Sequence, residues 1–262
     1  MSTVSGYFAS TPHHPDDDAP PAGMLAAIRA AASGTDGSPR LLAVSKTRSA
    51  EEVATLAQRW RALAGPDAPL GFGENYVQEA LAKQPALAGL GIEWHLIGHL
   101  QSNKAREAAT HFDWVQTVDR PKLVTALAGH RPDALPPLNV LIQVNIDDEA
   151  SKHGCRPGDV PALAAAVAVE PRLTLRGLMA IPAPAPDMAR RRDAFQRMRA
   201  LFDALTAGHA GVDTLSMGMS EDFALAIAEG ATMVRVGTAL FGPRPAAAAQ
   251  AATEQASTGQ AS

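Results

Sequence analysis

Residues 41–52 read Leu41-Leu42-Ala43-Val44-Ser45-Lys46-Thr47-Arg48-Ser49-Ala50-Glu51-Glu52. The apolar, partly β-branched run ending at Lys46 predicts a buried strand, and a serine followed by glutamates predicts a helix N-terminus. That order places one amine at the carboxyl end of a strand, where ligands bind in α/β proteins. Loss of solvation there lowers an amine's pKa and favours the neutral nucleophile that forms Schiff bases with carbonyl compounds. Taken alone, such a lysine is more often a side chain whose head reaches water, so the flanking sequence has to decide.

Outward from this stretch the same pattern recurs. Strand-like runs lie at Leu41–Lys46, Leu70–Asn75, Glu93–Gly98, Trp114–Asp119, Asn139–Ile146, Leu175–Ile181, Thr214–Gly218 and Met233–Gly237. Helical segments such as Ala50–Leu63, Gln101–His111, Pro161–Val169 and Arg190–Leu205 separate them, and a short amphipathic segment, Met24–Ala32, precedes the first. Strand starts fall roughly 20–40 residues apart, as βα units require. The expectation is an α/β fold, a single (β/α)8 TIM-type barrel over residues 23–244, with a doubly wound open sheet as the alternative. Residues 1–22 and 245–262 are rich in Ser, Pro, Asp, Ala and Gln without periodicity, and are expected to be disordered tails.

The 262 residues are 46% hydrophobic, enough for a core without disulfides or metals. A formal net charge of −4 argues against nucleic acid or an anionic membrane as the main partner. Cys155 is the single cysteine, so no internal disulfide forms and a cytoplasmic setting is expected. No apolar run is long enough to span a bilayer and no signal-peptide pattern opens the chain.

If the fold is a barrel, the strand ends carry the chemistry. After the second strand, Gly71 and Gly73 allow close backbone approach, and Asn75 offers a donor and an acceptor, although a local turn explains it equally well. After the third, His95 and His99 have the i, i+4 spacing of helical zinc ligands, but on a strand four residues span about 13 Å, too far for one ion. No metal is expected, and both histidines are read as hydrogen-bonding near the pocket rim. The seventh and eighth strands end in Ser216-Met217-Gly218 and Arg235-Val236-Gly237-Thr238. Backbone N–H groups at such junctions cradle anions, at the two places where barrels hold phosphate, and Arg235 adds a permanent charge. Arg190-Arg191-Arg192 reads as a solvated helix face, Cys155 as a packed residue and Met179 as core. A Schiff-base lysine facing a phosphate cradle calls for a ligand with a carbonyl at one end and a phosphate at the other. Pyridoxal 5′-phosphate fits, with a phosphorylated sugar as the competitor.

The segments Ala43–Thr47, Phe72–Glu79, Trp94–Lys104, Gly177–Pro182, Leu215–Ser220 and Val234–Gly242 together resemble the pyridoxal phosphate homeostasis proteins. That resemblance runs in order through the chain apart from its tails. It implies a barrel similar to the N-terminal domain of alanine racemase, with pyridoxal 5′-phosphate as an aldimine on Lys46. It further implies Asn75 beside the ring, and Ser216, the Met217–Gly218 backbone, Arg235, Gly237 and Thr238 around the phosphate and ring-nitrogen end. The expected role is non-catalytic: to bind, buffer and deliver the cofactor, with apo-enzymes that use it as transient partners. An amino-acid racemase is the alternative, and a Schiff-base aldolase acting on a sugar phosphate is a third. Racemisation needs a base on each face of the reacting carbon. Related racemases draw the second, a tyrosine, from a further β-domain that is not seen here after Phe241. Tyr76 is the substitute to weigh, since the other tyrosine, Tyr7, falls in the tail. A non-enzyme and a monomer are therefore expected.

Overall fold

The computed structural model describes residues 20–35, 37–65, 68–149, 152–183 and 187–242. In chain order its elements are α1 (Pro20–Ala31), β1 (Arg40–Val44), α2 (Ala50–Ala64), β2 (Gly71–Glu74), α3 (Val77–Lys83) and β3 (Glu93–Leu96). There follow α4 (Ala105–His111), β4 (Trp114–Val118), α5 (Pro121–His130), β5 (Leu138–Gln143), α6 (Val160–Ala168) and β6 (Leu173–Met179). The last are α7 (Met188–Gly208), β7 (Thr214–Ser216), α8 (Phe223–Ala228), β8 (Met233–Val236) and α9 (Thr238–Phe241). The strands form a closed parallel barrel in sequential order, with β1 pairing β8 through Leu42 beside Arg235. Closure excludes the open-sheet alternative.

Most boundaries shift by one to three residues from expectation, and three of the differences have plain physical reasons. The first strand stops at Val44 rather than Lys46, because the chain turns after Ser45 and Thr47 takes φ 63°. The helix before it opens at Pro20, inside the stretch read as a tail, since prolines at a helix start lose no intrahelical bond. The Gln101–His111 segment divides into a 3-10 turn, Ser102–Lys104, and α4. The rest of both expected tails, 1–19 and 243–262, lies outside the described residues.

The outer core packs the helices on the barrel, with Phe72, Phe112, Leu123, Leu127 and Phe195 almost wholly buried. Because α9 is a single turn, α1 packs beside it and against α8 and α2, completing the outer ring there. Inside the barrel the filling is mixed. Leu42, Ile97 and Met233 form one small apolar cluster, Trp114, Leu141 and Met179 another. Gly71 and Gly73 serve this interior rather than a ligand. A Cβ on Gly71 would stand 2.9 Å from Leu42 Cδ1 and 3.2 Å from the His95 ring, and one on Gly73 2.9 Å from Ile97. No helix among the described residues is long and apolar enough to cross a membrane.

Candidate functional site

The β1–α2 turn carries Lys46, and a buried polar cluster grips it from both sides. Ser45 N–H donates to Gly73 O (3.0 Å), extending the β1–β2 ladder, and Arg48 N–H closes the turn on Ser45 O (3.1 Å). Ser45 Oγ donates to Glu74 Oε1 (2.6 Å). Lys83 Nζ donates to the same oxygen (2.6 Å), to Ser45 O (2.9 Å) and to Glu79 Oε1 (2.9 Å). Glu79 Oε1 also accepts from Thr47 N–H (2.5 Å). The residues on either side of Lys46 are thus tied to one buried ammonium–carboxylate cluster, while Lys46 itself is half-buried. Burial holds the Glu74 carboxyl above its ordinary pKa, with Lys83 pulling the other way. Among the described residues, Glu74 Oε2 and Thr47 Oγ1 are buried without a hydrogen-bond partner.

Beyond the turn, Ser49 and Glu52 form a capping box that starts α2. Arg48, buried, donates to Glu52 (3.0 Å) and to Gly242 O (2.5 Å), and lies over the Phe241 ring. The end of the last βα unit is therefore fastened to the turn of the first. Gly237 faces the same sector: a Cβ there would approach Val44 O at 3.2 Å.

Arg235, from β8, is 3% exposed and is held at the carboxyl end of the barrel by neutral acceptors. Its guanidinium donates to Ser216 Oγ (2.8 Å) and to Ala180 O (2.9 Å). It makes no ion pair among the described residues, and burial lowers its pKa to about 10. Asp222, whose charge acts on it, is paired with Arg191. Gly218 at φ 92° brings its carbonyl to Arg235 N–H (3.0 Å), and a Cβ there would fall 2.5 Å from Ala226 Cβ. Met217 adds little to a cradle: its side chain is core and its N–H is bonded to Met233 O (3.2 Å). Thr238 is exposed at the start of α9, and Asn75 is half-buried one residue past β2. The barrel thus brings the expected residues to one mouth, Lys46, Asn75, Gly237 and Thr238 around the β8–β1–β2 sector and Ser216 and Arg235 beside it.

Other expectations move. His95 is not at the rim but wholly buried inside the barrel, its ring stacked on Trp114 at 5.1 Å. Its Nε2 meets Glu93 Oε1 at 2.8 Å and its Nδ1 meets Gln116 Nε2 at 2.9 Å. His99 does lie at the rim, stacked on His153 at 3.7 Å and 14° with Asp119 beside it. The ligand atoms of these three lie within 4.8 Å of one another. Near-parallel rings aim their lone pairs side by side rather than at one point, so the trio is not arranged around an ion. Arg191 is not solvated: it pairs with buried Asp222 and donates to Ala183 O (3.1 Å). Cys155 is packed, its thiol pushed up to about 12 by burial. Met179 is core, as read. A cleft of about 690 Å³ lies elsewhere, lined by Asp147, Asp148, Glu149, Arg190 and Arg197, and includes none of the expected site residues.

Sequence reading missed Ser45, Glu74, Glu79, Lys83 and Gln116. The Glu79–Lys83 i, i+4 spacing was the one local hint; a carboxylate and a lysine pointing inward look like surface charges in one dimension.

The family profile described as "Alanine racemase, N-terminal domain" matches residues 24–245. The chain is 53% identical over 224 residues to the pyridoxal phosphate homeostasis protein of Pseudomonas aeruginosa, covering 84% of this chain and 93% of that one. It is 50% identical over 223 residues to the protein of the same name from Escherichia coli K12, covering 83% and 92%. Among solved structures, PipY of Synechococcus elongatus with PLP bound superposes with a TM-score of 0.70 at 36% identity, covering 85% of this chain and all of that one (100%). Alanine racemase of Corynebacterium glutamicum, 22% identical with a TM-score of 0.60 over 88% of this chain and 62% of its own, shares the fold.

Proposed function

The chain belongs to the pyridoxal phosphate homeostasis protein family, and from that premise we propose that it binds pyridoxal 5′-phosphate and takes part in its homeostasis. Lys46 would engage the cofactor's carbonyl, Asn75 would contact its ring, and Arg235, Gly218, Gly237 and Thr238 would hold its charged end. The observation that carries this reading is Arg235. A guanidinium 3% exposed and, among the described residues, held by a hydroxyl and a carbonyl is short of negative charge. An anionic ligand would offset the cost of burying it. The cofactor, when bound, supplies an electrophilic carbonyl and a phosphate, the two features Lys46 and Arg235 are suited to meet.

The role is carriage rather than turnover. Tyr76, the substitute second base, caps α3 beside the packed β2 end, and no other tyrosine falls among the described residues. The protein releases its cofactor to apo-enzymes in the cytoplasm and acts as a monomer. Borohydride reduction of the loaded protein should add the cofactor's mass to the peptide containing Lys46, and Lys46→Ala should abolish that adduct. An adduct persisting in K46A would sink the lysine assignment. Turnover of D- or L-alanine at enzyme-like rates would replace the carrier reading with the racemase one.

A further inference from the structure

A single-file chain of hydrogen bonds leads from Arg235 into the barrel, and each link has one allowed sense. Arg235 carries only donors, so Ser216 Oγ accepts from it (2.8 Å). The hydroxyl's one hydrogen then goes to Gln116 Oε1 (2.7 Å). This fixes the Gln116 amide, whose NH₂ faces His95 Nδ1 (2.9 Å) and Met233 Sδ (3.2 Å). Nδ1 must accept, so neutral His95 carries its proton on Nε2 and donates to Glu93 Oε1 (2.8 Å), which also accepts from Arg40 (2.5 Å). Gln116, His95 and Ser216 are all wholly buried, where water cannot substitute for a lost partner. Turning the Gln116 amide over would set acceptor against acceptor at His95 Nδ1 and leave the Ser216 hydrogen without an acceptor.

Resting on the reading above, we propose that Gln116 is a positioning residue for the cofactor site, locking the Ser216 hydroxyl so that it accepts from Arg235 and keeps the guanidinium aimed at the mouth. One consequence is that Ser216 does not donate to phosphate. Its hydrogen is committed inward, and its part is to hold Arg235.

The test is a double-mutant cycle with pyridoxal 5′-phosphate as the probe. Gln116→Met is nearly isosteric and removes both ends of the amide. Affinity for the cofactor should fall about tenfold, with a shift in the visible absorption of the bound cofactor as Arg235 relaxes, while the Lys46 adduct still forms. Ser216→Ala should weaken binding similarly, and adding Q116M to S216A should change little, because Gln116 acts through the hydroxyl. Gln116→Leu, which also lacks the acceptor, should weaken binding similarly and provides the readout if Q116M does not fold. Wild-type affinity and spectrum in folded Q116M or Q116L, or fully additive losses in the double variant, would overturn the proposal. Failure of the underlying reading shows separately, as wild-type protein that forms no adduct at Lys46.

Discussion

Thr47 is a β-branched residue at φ 63°, a conformation such residues rarely adopt, and its N–H is held by Glu79 Oε1 at 2.5 Å. The strain sits next to Lys46, and the Lys83 cluster resists its release. Lys83→Met should therefore act twice. It leaves Glu74 buried without a counter-charge, a loss of about 3–5 kcal/mol, measured as a drop of roughly 10 °C in the melting midpoint. It should also lower the yield of borohydride-trapped cofactor at saturating ligand, since Ser45 O loses one of its two donors. Adding Glu74→Gln should recover part of the stability by removing the stranded charge. An unchanged midpoint in K83M would mean that the cluster contributes nothing to the turn. Gly218→Ala, by contrast, adds a methyl 2.5 Å from Ala226 Cβ at φ 92°, and should cost about 1–3 kcal/mol in urea titration. At this scale the sequence disclosed the exposed chemistry and hid its supports. Lys46, Asn75 and Arg235 were legible as a set, each at a strand end, although a solvated lysine or a local turn explains either of the first two alone. Glu74 and Lys83 are as buried as leucines, and nothing in their local pattern marks charged residues as inward-facing.

Among the elements, the ends of the strands divide the labour. The carboxyl ends carry the candidate site, while the amino ends carry a charged plug in which Arg40 pairs with Glu93 (2.5 Å) and, like Arg176, stands over Trp114 at 5.6 and 4.9 Å. Burial pushes the Glu93 carboxyl up, but bonds from His95 and Arg40 more than offset it, bringing its pKa from 4.5 down to about 2. A depressed carboxylate stabilises the fold above its ordinary pKa and loses that contribution as pH falls. The melting midpoint should therefore drop between about pH 4.5 and pH 2, and Glu93→Gln should flatten that part of the profile. An E93Q profile parallel to wild type would refute the assignment. At α2, Ser49→Ala removes one arm of the capping box and should cost about 1 kcal/mol, readable by chemical denaturation. The element order was legible because most strand runs are predominantly apolar and the separators are helical or turn-forming. The ends were less so: Ser45 and Lys46 continue the apolar run in sequence, and it takes the Thr47 turn and the Gly73 carbonyl to end the strand at Val44. Nor did periodicity reveal that Gly71 and Gly73 make room for Leu42, His95 and Ile97, since that contact crosses strands.

For the molecule as a whole, a ligand bound between the first and last strands should stabilise the closed barrel. At a hundred times its dissociation constant it contributes about 2.7 kcal/mol, a rise of roughly 5–11 °C in the melting midpoint for a protein of this size. The rise should be largely lost in K46A, and inorganic phosphate should reproduce only a fraction of it. An equal shift with phosphate alone would assign the stabilisation to the anion site and not to Lys46. Barrel closure was inferred from a count of strands, and the β1–β8 pairing that seals it has no local signature. That same seal bears on synthesis. The Lys46 turn emerges early, yet Arg48 waits for Gly242, 194 residues later, to occupy its place. A ribosome-bound chain lacking β8 and α9 has Lys46 but neither Arg235 nor the strap that fixes the turn. On the proposed site, cofactor capture would wait for the final stage of translation, so unfinished chains would not draw on the free cofactor.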